Sequence, residues 1–97
     1  MMPAHYLIQY DQTGAADLRE ARRPDHIAYR KSLGARLLLA GPLLDDAGAP
    51  VGSVIILAAD SRADAEAAAI ADPFVGAGLL TLRSVQPMRV AAVRLLE

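Results

Sequence analysis

The sequence predicts an α+β domain of order β-α-β-β-α-β, the split-βαβ or ferredoxin-like arrangement with a four-stranded, mostly antiparallel sheet. Three observations carry this. Four short segments show period-two alternation or unbroken apolar character, which marks strands. Two longer stretches have helical spacing and helix-start or helix-stop residues. Glycine, proline and aspartate gather where these segments join.

The first strand is His5–Asp11, with Tyr6, Ile8 and Tyr10 on one face and His5, Leu7 and Gln9 on the other. Helical spacing then runs from Asp17 to about Leu33. Pro24 lies inside it, and a proline there removes a hydrogen bond and crowds the preceding turn, so a kink or a pair of short helices is expected, the second starting at Pro24. Gly34 is placed to cap the end. Arg36–Ala40 is the second strand, closed by Gly41-Pro42, and Leu44–Pro50 has turn chemistry. Gly52–Ala59 is the third strand. Ser61 opens the second helix, with Asp64 three positions on as a capping-box-like partner and Ala63, Ala67, Ile70 and Ala71 as the apolar stripe. Asp72-Pro73 stops that helix. Leu79–Gln86 is the fourth strand, after which Pro87 leaves only an edge segment or tail.

The 97 residues suffice for one domain with a modest core, read as about residues 4–90, with 91–97 as a tail. Hydrophobic residues make up 54% of the chain, too many for a disordered segment, yet no apolar run approaches the roughly 20 residues of a membrane span. Net charge is −1, with both signs spread along the chain, so neither nucleic acid nor an anionic membrane is an expected partner. There is no cysteine, which removes disulfides, thiolate metal sites and a cysteine nucleophile. The first residues lack the basic and apolar regions of a secretory leader, and a cytoplasmic location is expected. Two helices cover one face of a four-stranded sheet. The third strand is apolar on both faces, so its other face needs a cover, and a homodimer pairing sheet against sheet is the simplest one.

The chain has two histidines. His5 opens a strand and reads as a surface or edge residue. His26 shares a helix face with Tyr29, Arg30 and Leu33, at i, i+3, i+4 and i+7, which puts it on or beside the buried side. A half-buried imidazole suits general acid/base work, and it equally suits a packed side chain bonded to a carbonyl. Asp72 before Pro73 is an ideal N-cap for a turn at 73–75, and a carboxylate is also what orients a catalytic histidine. Ser53 after Gly52 reads as a turn hydroxyl, or as a donor or nucleophile if a histidine lies within reach; no Gly-x-Ser-x-Gly elbow surrounds it. Arg19, Arg22 and Arg23 form a solvated helix face or an anion contact. No phosphate-binding glycine motif and no metal-ligand spacing are present, so neither a metal nor an organic cofactor is expected.

Five pieces in order form a recognisable pattern: Arg19-x-x-Arg22-x-x-x-His26-x-x-Tyr29, Leu39-Ala40-Gly41-Pro42-Leu43, Gly52-Ser53, Ala71-Asp72-Pro73-Phe74-Val75-x-Ala77-Gly78-Leu79, and Pro87-Met88-Arg89. In these the chain resembles the YCII-related (YciI-like) family of the dimeric α/β-barrel superfamily, over about Tyr6 to Arg89. Methionine stands where the last motif has an aromatic residue. The resemblance implies a ferredoxin-like fold that dimerises through its sheet face, and a histidine and an aspartate facing a shared pocket. These fall on His26 and Asp72, with Ser53 lining the same pocket. Arg22, Tyr29, Gly41 and Pro42 are the corresponding ligand-binding candidates.

Two functions follow as expectations. One is a small cofactor-independent enzyme, in which a His26/Asp72 dyad performs proton transfer, isomerisation, elimination or hydrolysis on a small unsaturated acid or lactone. Characterised relatives resemble enzymes that act on muconate- or chlorinated-hydroquinone-like compounds. The other is a non-catalytic dimeric module that binds a small ligand or a partner protein. Monooxygenase or haem chemistry would rest on fold alone.

Overall fold

The computed structural model describes residues 4–94. Strand β1 (Ala4–Gln12) leads into helix α1 (Ala16–Ser32) and a short 3₁₀ turn at Gly34–Arg36. Strands β2 (Leu37–Leu44) and β3 (Pro50–Ala59) follow, then helix α2 (Arg62–Ile70), the short helix α3 (Pro73–Gly76) and strand β4 (Leu80–Met88). The strands form one sheet in the order β2-β3-β1-β4, and all three neighbouring pairs are antiparallel. The fold is therefore the α+β, ferredoxin-like arrangement.

Alternation in β1 sorts its side chains as expected. Tyr6, Ile8 and Tyr10 are buried beneath the helices, together with Ile55, Leu57 and Ala59 of β3. Register places Tyr10 opposite Ser53 and Ile8 opposite Ile55, which puts Ser53 on this covered face at the end of the sheet nearest the β2–β3 turn. In that turn, Asp45 Oδ1 accepts hydrogen bonds from the Ala47 and Ala49 amides at 2.9 and 3.0 Å. Gly52 approaches the Tyr10 carbonyl so closely that a Cβ there would collide with backbone.

The structure differs from the expectations in four places. First, α1 runs unbroken through Pro24. Pro24 lies on the solvent side, where water can satisfy the carbonyl left without its helical donor. Second, β2 does not close at Gly41-Pro42 but continues to Leu44. It is an edge strand, paired only with β3, so the missing amide of Pro42 costs no second ladder. Third, β4 includes Pro87, opposite Tyr6, for the same reason on the other edge. Fourth, the apolar stripe of α2 is Ala65 and Ala69, with Ala68 beside them, whereas Ala63, Ala67, Ile70 and Ala71 face outward. A helix this rich in alanine has little amphipathic contrast. Its rotation is set by tertiary contacts, among them the hydrogen bond from the Tyr10 hydroxyl to the Ala69 carbonyl at 2.9 Å.

Helix caps follow local chemistry. Ser61 accepts from the Asp64 amide at 3.1 Å at the start of α2, and Gly34 takes a left-handed φ of 60° just past the end of α1. Helix α1 has no fully buried residue, and its main helical neighbour is α3. It stands off the sheet and roofs a cleft floored by β2 and the start of β3. Among the described residues no helix is long and apolar enough to cross a membrane. Residues 91–94 of the expected tail are irregular and exposed, and 95–97 lie outside the described residues.

Candidate active site

Two elements remote in sequence meet at the inner face of α1. Asp72 caps α3: its Oδ1 accepts from the Phe74 amide at 2.9 Å, and Pro73 supplies a first helical residue with no amide to satisfy. This cap fixes the carboxylate inside the protein, where its side chain is fully buried. The same Oδ1 lies 2.8 Å from His26 Nδ1, and Oδ2 accepts from Arg30 Nε at 2.9 Å. His26 and Arg30 sit one helical turn apart on α1, which is why both reach a single carboxylate. Three hydrogen bonds thus converge on Asp72.

Burial alone would raise the Asp72 pKa. The hydrogen bonds from His26 and the Phe74 amide, with the charges of His26 and Arg30, outweigh it and hold the carboxyl below its ordinary value. Asp72 is therefore ionised at neutral pH. An ionised carboxylate only accepts, so the bridging proton belongs to His26 Nδ1, and in the neutral ring Nε2 carries the lone pair. Phe74 fixes the plane of the ring: the two rings stack with centroids 4.0 Å apart and planes 2° from parallel. The His26 side chain keeps 19% of its exposure and lines the cleft. Among the described residues, Nε2 makes no hydrogen bond.

Arg30 is held from two sides, by Asp72 and by the Tyr10 ring, whose centroid lies 5.6 Å from the guanidinium carbon. Burial pushes the Tyr10 hydroxyl up to about 12, against the opposing pull of the Arg30 charge.

The cleft has a volume of about 550 Å³, within the range of small-molecule sites. Ser53, Gly41 and Pro42 line it beside His26 and Phe74. The Ser53 hydroxyl makes a long, weak contact of 3.4 Å with the Gly41 carbonyl and none with His26. Its geometry is that of a hydroxyl free to turn toward a ligand, not of a nucleophile joined to its base. Tyr29 lies on another side of α1, where its hydroxyl donates to the Ala68 carbonyl at 2.6 Å and ties α1 to α2. Arg22 is exposed and does not line the cleft; Arg19 and Arg23 do. The cleft opens on the side of α1 that carries Arg23, Ile27 and Lys31, and Arg22 lies on the opposite flank of Arg19 and His26.

Arg30 and Phe74 join the site without a motif of their own in the sequence. The i, i+4 spacing of His26 and Arg30 was a usable signal; nothing in the sequence brought Phe74 against His26. No group of three or more His, Cys, Asp or Glu among the described residues is placed to hold a metal ion.

Comparison with known proteins agrees with this fold. The model of the YCII-related domain matches residues 3–89. Protein YciI of Escherichia coli O6:H1 is 37% identical over 93 residues, covering 88% of this chain and 95% of that protein, and Protein YciI of Shigella flexneri matches equally. Among solved structures, 5-chloro-2-hydroxyhydroquinone dehydrochlorinase (TftG) from Burkholderia phenoliruptrix AC1100, in complex with 2,5-dihydroxybenzoquinone, superposes with a TM-score of 0.65. It is 26% identical, with 92% of each chain covered, so a structural neighbour of this fold is a small-molecule enzyme. The chain belongs to the YCII-related domain family.

Proposed function

We propose that the chain is an acid/base enzyme for a small unsaturated acid, lactone or related ring compound, with His26 as the proton-transferring group. One observation carries this reading: His26 Nδ1 meets the fully buried, ionised Asp72 at 2.8 Å. A carboxylate in that position fixes the tautomer and stabilises the imidazolium formed when Nε2 takes a proton. Asp72 is a positioning residue, Phe74 holds the ring plane, and Ser53 donates a hydrogen bond to the substrate.

Such a base serves several related reactions. In a dehydrochlorination, the reaction named for the structural neighbour, Nε2 takes a proton from the substrate. The released electron pair forms a new double bond and expels chloride, so the elements of HCl leave and no electron is exchanged with another reagent. In an isomerisation the same nitrogen returns the proton at a second carbon.

The test is a turnover screen on small unsaturated acids, lactones and chlorinated hydroquinones, including 5-chloro-2-hydroxyhydroquinone, read by chloride release and ultraviolet absorbance. His26→Ala should keep the wild-type circular dichroism spectrum and lose roughly 100-fold or more in kcat, the usual share of a general base. Turnover unchanged in a folded His26→Ala protein overturns the reading.

We infer further that a second copy covers the open face of the sheet. Leu39 is 47% exposed there, beside the half-buried Leu7, Val54 and Ile56. Sedimentation equilibrium should return twice the mass of the chain; the mass of one chain would remove this inference.

A further inference from the structure

Four of the ten basic residues line the cleft, Arg19, Arg23, Arg30 and Lys31, and none of the acidic side chains among the described residues does. On a chain of net charge −1 this is a strong segregation. All four come from the side of α1 that faces the cleft, where Ile27 is the apolar residue among them, while Leu37, Pro42 and Leu80 on the far side are apolar.

The four charges are not equally matched. Arg30 is neutralised by Asp72 at 2.9 Å. Arg23 meets Glu20 at 3.6 Å, but both side chains are largely exposed and the pair is weak. Arg19 donates through Nη2 to the Thr13 carbonyl at 2.6 Å, which satisfies a hydrogen bond but no charge, and its Nε is buried without a partner. Lys31 makes no ion pair among the described residues. Two to three positive charges therefore stand over a largely apolar concave surface whose walls, among the described residues, carry no acidic side chain. Low-dielectric walls focus such a field into the cleft.

We propose that the cleft takes a small planar anion, its carboxylate or enolate oxygens under the Arg19–Arg23–Lys31 roof and its unsaturated body on the apolar wall beside His26. This rests on the acid/base reading above and narrows it, favouring charged acids over neutral lactones and quinones. Anchoring the charge at the roof leaves the carbon skeleton of the ligand to face Nε2.

Benzoate and benzamide have nearly the same shape and differ in charge, which makes them the probes. Binding of each to the full chain is followed by calorimetry and by amide chemical shifts. Benzoate should bind roughly tenfold more tightly than benzamide, move the amides of Gly52, Ser53 and Phe74, and weaken as salt rises. Arg23→Gln combined with Lys31→Gln alters two exposed side chains on α1 and should leave the circular dichroism spectrum unchanged. It should weaken benzoate roughly three- to tenfold, the scale of two partly screened charges, and leave benzamide where it was. Equal affinity for the two probes, no benzoate binding at roughly ten millimolar, shifts confined to another surface, or a double variant with wild-type benzoate affinity would each overturn the proposal. Benzoate binding needs no proton transfer, so the two claims fail separately. Loss of the charge preference with His26-dependent turnover intact removes only the anion claim. Retained preference with His26-independent turnover removes only the acid/base reading.

Discussion

His26 Nδ1 and Asp72 Oδ1 lie 2.8 Å apart although 46 positions separate the two residues in the chain. The same oxygen also caps α3 through the Phe74 amide at 2.9 Å. Cap and orienting carboxylate, two competing readings of Asp72 in the sequence, are thus one group making both bonds. The histidine is consequently registered to the start of α3, and to the Phe74 ring that begins there. Four predictions follow from that shared oxygen and its surroundings.

Removing the carboxylate should be far more costly than neutralising it. Asp72→Ala leaves Arg30, His26 and the Phe74 amide without their acceptor, a loss of about 3–5 kcal/mol by analogy with broken buried pairs. Asp72→Asn keeps an oxygen for the Phe74 amide and should cost about 1–3 kcal/mol. Urea unfolding of the three proteins measures both. An Asp72→Ala protein within about 0.5 kcal/mol of wild type would show that the cluster contributes nothing to stability.

Acid should unfold the wild type through this group. The folded-state pKa of Asp72 lies below the ordinary 3.8, so its contribution to stability is present above that value and is lost as pH falls toward the folded value. Stability measured from pH 6 down to pH 2 should therefore fall more steeply below about 4 in wild type than in Asp72→Asn, which has no carboxyl to protonate. Parallel profiles would contradict the depressed pKa.

Alkali acts on Tyr10 with the opposite sign. Its hydroxyl is raised from 10.0 to about 12 by burial. The unfolded chain ionises first, so stability is intact below about 10 and declines as pH rises toward 12, by about 2–3 kcal/mol in full. Phenolate absorbance should show one tyrosine titrating near 12, and Tyr10→Phe should delete that step.

Phe74→Leu tests the stacked ring. Leucine retains most of the buried apolar volume but not the parallel face 4.0 Å from the imidazole. Stability should drop by about 1–2 kcal/mol, and kcat should fall by more than KM rises, because the His26 ring loses its fixed plane. A change confined to KM would assign Phe74 to substrate binding instead.

The strand and helix order was legible because β1 and β3 carry clean apolar patterns, and because Ser61, Asp72-Pro73 and Gly34 carry capping chemistry at the element ends. Three of the four differences share one cause. Local sequence predicts a kink or break at Pro24, a strand end at Pro42 and an edge segment or tail after Pro87, yet each proline sits where the missing amide faces solvent or a sheet edge, a property of topology and not of local sequence. The stripe of α2 was illegible because alanine on every side gives no preferred face. Within the site, the helix spacing that marked His26 also pointed to Arg30. Spacing could not separate Arg23 from Arg22, because each lies three or four positions from both Arg19 and His26. The approach of Asp72 and Phe74 to His26 depends on how α1 lies against α3, which no local pattern encodes.

The central claim is that Asp72 sets the tautomer of His26, and ¹⁵N NMR of the imidazole nitrogens at neutral pH tests it most directly. The wild type should show a protonated Nδ1 and an unprotonated Nε2 in the neutral ring, and Asp72→Asn should lose that preference. A wild-type ring with its proton on Nε2, or a tautomer unaffected by Asp72→Asn, would contradict the account.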